Sequence, residues 1–140
     1  MLERALKRPI SLVAPLLYTA LLCSLSSVPG TIPDDAPATY RVVAWVPPAV
    51  QNLLHVPAYA GLAFLWRWSL VRRLRPASAI LAALLLAVMY GLVEEWYQSF
   101  VPGRYATLTD VLFNSIGAFL GVVAFRWASW MVGQSSVDSG

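Results

Sequence analysis

Charge is what this sequence has least of. Asp, Glu, Lys and Arg make up 12% of its 140 residues, whereas a soluble domain of this size normally covers itself with about 25–35% charged side chains. A hydrophobic fraction of 59% and a mean hydropathy of +0.64 exclude an ordinary soluble globule and point to a membrane protein. Cysteine occurs once, as Cys23, so no internal disulfide can form. A lipoprotein lipobox ending there is also excluded, because Leu22 stands where such a signal requires a small residue. Histidine occurs once, as His55, which removes paired-histidine chemistry, and there is neither a Gly-rich phosphate loop nor an internal repeat. The net charge is +3, but the basic residues flank apolar runs and form no stripe on a polar face, so no nucleic-acid partner is expected.

What is present is apolar length. Crossing a bilayer as a helix takes roughly 20 apolar residues, and four stretches qualify: about 10–28, 49–70, 77–97 and 108–131. The expected fold is therefore all-α, an integral membrane four-helix bundle forming one domain over 1–140. Pro15 and Pro57 interrupt two spans, which lipid-embedded bundles tolerate. Arg4, Lys7 and Arg8 before the first span also resemble the basic region of a signal peptide, but the apolar core is long and no A-x-A-like site follows. The first span is therefore expected to remain a helix.

Orientation follows from the bases. With both termini cytoplasmic, Arg4, Lys7, Arg8, Arg67, Arg72, Arg73, Arg75 and Arg126 lie at cytoplasmic ends, and only Arg41 and Arg104 lie outside. Trp66, Trp68, Trp127 and Trp130 then form an inner aromatic belt, with Trp45 and Trp96 in the outer one. The loop between the first two spans, with Asp34, Asp35 and the amphiphilic TYRVVAWV, is expected at the outer interface, and the tail QSSVDSG is expected to be disordered.

The stretch EEWYQSFVPGRYATLTDVLFNSIG concentrates the remaining polarity. This topology brings Glu94, Glu95, Gln98, Arg104, Asp110 and Asn114 to the outer boundary, and His55 on the second span enters the same layer. Gly91, Glu95 and Gln98 share one helix face, while Glu94 lies about 100° away and is expected to face headgroups. Asp110, Asn114, Gly117 and Gly121 form another stripe, whose glycines allow close helix approach. His55 and Tyr59 share a face of the second span, and VPGR reads as a tight turn with Gly103 at positive φ.

Each residue also has a structural reading. Thr107-x-x-Asp110 matches a capping box, Arg104 and Glu95 can clamp the turn, and Asn114 can join helices. Packing four helices does not require six polar groups at one end, however, and ionisable residues near the membrane are functional candidates. The candidate ligand-binding set is His55, Tyr59, Glu95, Gln98, Arg104, Asp110 and Asn114, with Gly117 and Gly121 for helix packing. One histidine with scattered carboxylates is a poor donor set, so neither a metal nor a cofactor is expected.

Glu95-x-x-Gln98-x-Phe100-x-Pro102-Gly103-Arg104, followed by Asp110, Asn114, Gly117 and Gly121, resembles the signature of VanZ-like membrane proteins. LLHVPAYAGLAFL, with His55 and Tyr59, and the first-span end at Ser26, Ser27 and Pro29 extend the resemblance from about Leu12 to Val123. Many members carry an acid–lysine pair where Gln51 and Asn52 stand here, and an aromatic where Ala106 stands. The resemblance implies a multi-pass protein of the bacterial inner membrane, in a family named for a protein linked to low-level resistance to the glycopeptide teicoplanin.

Three functions follow as expectations. The first is a non-enzymatic envelope protein that binds a lipid-linked or glycopeptide-like ligand through the outer polar cluster. The second is an intramembrane enzyme acting on a phosphate-bearing lipid headgroup, with His55 or Glu95 as acid or base, although the sequence shows no convincing nucleophile beside a base. The third is a helper subunit that offers its glycine face to a membrane protein partner. A transporter fits poorly, since its site would lie near the midplane between repeated halves.

Overall fold

The structure, a computed structural model, describes residues 12–30, 48–104 and 106–135. The expectations for Arg4, Lys7, Arg8, Asp34, Asp35, Arg41, Trp45 and the interfacial segment TYRVVAWV lie outside the described residues. Those residues form four helices: α1 (Val13–Ser26), α2 (Pro48–Leu70), α3 (Pro76–Gln98) and α4 (Leu108–Ser135). The expected start of the first span near Ile10 also lies outside them. The α2 and α3 boundaries agree with the sequence to within one residue. The fourth helix does not, because it runs to Ser135 and takes in Gln134 and Ser135 from the tail expected to be disordered. No proline interrupts α4, and Val132 on its last turns is buried, so packing extends the helix.

Pro15 sits in the first turn of α1, where its missing N–H breaks no bond. Pro57 lies within α2 and frees a carbonyl one turn earlier. The most extensive packing is between α2 and α4, with α3 against both and α1 lying more lightly on α2 and α3. Small residues explain how closely α3 approaches its neighbours. Ala79, Ala83 and Ala87 are fully buried and recur at i+4, so they form one stripe. The stripe continues through buried Gly91 to Glu95 and Gln98.

On α4 the glycine stripe is used inside the bundle. A Cβ at Gly117 would lie 2.4 Å from the Val56 carbonyl oxygen, and one at Gly121 would lie 2.1 Å from that of Ala60. The outward surface is apolar: Leu81, Leu85, Met89, Leu92, Phe119 and Leu120 are all exposed. Among the described residues two helices, α3 and α4, are long and apolar enough to cross a membrane, and only 22% and 39% of their most apolar windows are buried within the protein. Core helices of a soluble protein would be mostly covered, whereas apolar faces this open mark a membrane or protein contact surface.

Candidate functional site

The polar residues of the EEWYQSFVPGRYATLTDVLFNSIG stretch converge where α3 ends and α4 begins. Val101 to Arg104 make the reversal, with the Arg104 N–H donating to the Val101 carbonyl at 3.0 Å. Gly103 has φ 74°, the positive value expected from VPGR. Gly103→Ala is expected to cost about 1 kcal/mol and Gly103→Asn less, since asparagine tolerates this conformation better. Thermal unfolding in detergent measures both. The end of α1 docks on the same turn. Gly30 N donates to Pro102 O at 3.0 Å, and Arg104 Nε donates to Val28 O at 3.1 Å, so Arg104 fastens the turn to the first helix.

α4 starts with the capping pair foreseen at Thr107 and Asp110, but with different wiring. Asp110 N donates to Thr107 Oγ1 at 3.2 Å, and that hydroxyl donates to Asp110 Oδ2 at 2.6 Å. The Thr107 backbone N–H, which a capping box would return to its own acid, lies instead 3.4 Å from Glu95 Oε2 on α3. Glu95 and Asp110 thus meet across the helix start although both are acids, and Glu95 also feels the fields of His55 and Glu94. One turn further along α4, Asn114 Oδ1 lies 2.7 Å from His55 Nδ1. With the amide oxygen as acceptor, the imidazole donates from Nδ1.

Glu94 corrects the sequence reading. It was expected to face headgroups, yet it is 5% exposed and accepts hydrogen bonds from Ser26 on α1 and Tyr59 on α2. α3 has partners on two sides: Glu94 turns toward α1 and α2, while Glu95, about 100° round, turns toward α4. A helix packed on two sides buries an arc wider than one stripe. In the sequence Ser26 stands out only as part of the serine-proline end of the first span. Its hydroxyl against a carboxylate is contact across 68 positions, which no local spacing reveals.

Tyr59 links the two halves of the cluster. Its ring stacks on His55 at 6.1 Å and on Tyr90 at 6.0 Å, and it is 1% exposed. Gln98 is buried on the Glu95 face. Three buried polar atoms here have no hydrogen-bond partner among the described residues: Glu95 Oε1, Asp110 Oδ1 and Asn114 Nδ2. Among the described residues, no group of three or more His, Cys, Asp or Glu side chains is placed to hold a metal ion.

The VanZ/LLP1 family model matches residues 12–129. The chain belongs to the VanZ/LLP1 family. That match covers every residue of the cluster, from Ser26 to Asn114, and both packing glycines. No curated protein and no solved structure matches the chain. VanZ/LLP1 membership together with two apolar helices suggests a membrane protein, in keeping with the outward apolar surface.

Proposed function

We propose that this VanZ/LLP1 protein is a four-span protein of the bacterial inner membrane with both termini cytoplasmic, and that its polar cluster opens at the outer face to bind the head of a lipid-linked or glycopeptide-like ligand. The observation that carries this reading is the trio Glu95 Oε1, Asp110 Oδ1 and Asn114 Nδ2, buried without partners among the described residues. Leaving one buried polar atom unpaired costs about 1–3 kcal/mol, and here three lie around one helix junction. Two acceptors and one donor suit a head rich in hydroxyl or amide N–H groups, such as a glycan or peptide, better than a bare phosphate. Trp96 and Phe100, 65% and 68% exposed and packed edge to face at 5.2 Å, offer the adjoining apolar edge that a lipid tail requires.

Native mass spectrometry of protein extracted from its own membrane tests the proposal. A lipid-linked ligand is expected on the wild type, and Asn114→Leu is expected to reduce its retention about tenfold, the equivalent of one hydrogen-bonded polar contact, at normal protein abundance. A wild type that carries no such ligand, or equal retention in the variant, would sink the proposal. A role in antibiotic resistance would follow if the retained molecule shares the drug's peptide or glycan chemistry.

A second reading rests on Ser26, which donates its hydroxyl hydrogen to Glu94 and so sets an alcohol beside a base. It favours an intramembrane enzyme acting on a phosphate-bearing headgroup. Turnover of an isoprenoid or glycerol phosphate lipid by purified protein, abolished by Ser26→Ala, would support it over simple binding. For the helper-subunit reading, the glycine face is already filled by α2, so a partner helix would need another surface.

A further inference from the structure

At the end of the bundle away from the polar cluster, one cation is buried with no counter-charge beside it among the described residues. Arg67, on the last turn of α2, was grouped by sequence with the bases that set topology, yet it is only 8% exposed. Its guanidinium lies 4.9 Å from the centre of the Phe125 ring, and Nη1 is buried with no hydrogen-bond partner among the described residues. The ring supplies about 0.5–2 kcal/mol, while an unpaired buried charge costs several kcal/mol. The acids among the described residues are Glu94, Glu95 and Asp110, and all lie at the other end. Glu94 stands 18 residues after the start of α3, about 27 Å along the helix axis, which is far beyond the reach of a side chain.

Arg67 also has basic company. Arg72, Arg73 and Arg75 are exposed on the turn joining α2 to α3, and Arg126, exposed, follows Phe125 on α4. Arg73 is partly committed, donating from Nη1 to the Ser69 carbonyl. α3 starts at this turn with no side-chain cap on its first amides, so their partial positive charge adds to that of the arginines.

We infer that this end of the bundle is a second, phosphate-binding site, which seats the phosphodiester of an anionic phospholipid with Arg67 as its fixed anchor and the turn arginines as its rim. Guanidinium groups suit the phosphate because each presents paired donors in a planar fork. The site is independent of the ligand at the polar cluster. It makes the protein sensitive to the anionic lipid content of its own membrane.

The test uses the full chain in nanodiscs of phosphatidylcholine with rising fractions of phosphatidylglycerol, read by thermal unfolding and by native mass spectrometry. The wild type is expected to gain stability with phosphatidylglycerol and to retain one molecule of it. Arg67→Gln is expected to need about tenfold more for the same effect, the loss of one charge-assisted contact. Inorganic phosphate added to pure phosphatidylcholine discs separates the sources: stabilisation by phosphate alone supports a free-phosphate site, and its absence beside a phosphatidylglycerol effect supports the headgroup. The proposal is overturned if the wild type responds to neither, a result that needs no variant to fold, or if Arg67→Gln responds as the wild type does.

Discussion

Gly121→Ala is expected to destabilise the protein by about 2–3 kcal/mol, at the upper end of overpacking costs, and Gly121→Val is expected to prevent stable assembly. The new Cβ would lie 2.1 Å from the Ala60 carbonyl oxygen and 2.9 Å from that residue's Cα and carbonyl carbon. These are backbone atoms of a packed helix, so no side-chain rotation relieves the contact, and α2 must move by roughly 1 Å or more to restore ordinary carbon–oxygen separation. Such a shift displaces Tyr59 and His55 as well, because both ride on α2. Gly117→Ala is expected to behave similarly, with 2.4 Å to the Val56 oxygen. Gly133 provides the control within the same helix. Nothing lies within 4 Å of a Cβ there, so Gly133→Ala is expected to be neutral or to gain up to about 1 kcal/mol from helix propensity. Thermal unfolding and the yield of monodisperse protein in one detergent measure all four variants. Wild-type stability in Gly121→Ala would show that α2 and α4 do not meet closely at this point.

The second large effect is expected at Glu94. Glu94→Ala removes the acceptor of both Ser26 and Tyr59, which are 8% and 1% exposed, and leaves two buried hydroxyls without their partner. At about 1–3 kcal/mol for each, the expected loss is about 2–6 kcal/mol. Tyr59→Phe is expected to cost about 1–3 kcal/mol, because the carboxylate then keeps only Ser26. The double variant should be less unstable than the sum of the two by about 1–2 kcal/mol, since the shared bond is lost only once. A headgroup-facing Glu94, as angular position alone suggests, would make Glu94→Ala neutral to within about 0.5 kcal/mol. The unfolding measurement therefore decides between a surface acid and a three-helix junction.

The Glu94 result also marks where sequence reading reaches its limit. The 3.6-residue period places Asp110, Asn114, Gly117 and Gly121 on one face and His55 beside Tyr59, and both groupings are present in the structure, because each concerns a single helix with one dominant partner. α3 has partners on two sides, so its period does not tell which of Glu94 and Glu95 is buried, and both are. Capping chemistry was legible at Thr107 and Asp110, but the diversion of the Thr107 amide to Glu95 depends on where α3 ends relative to α4. Arg67 reads in sequence as one more topogenic base, and only the position of Phe125 beneath it shows a buried cation.

By itself the sequence determined that the chain is helical, apolar on its outside and polar at one junction. These properties follow from run length, from the scarcity of charge and from periodicity, all of which act locally along the chain. Which polar atoms pair, and which four are left over among the described residues, was decided only by the tertiary structure. Hydrogen bonds such as His55 to Asn114 depend on distances of a few ångströms between segments far apart in sequence, and those distances are set by how closely Gly117 and Gly121 allow α4 to approach α2.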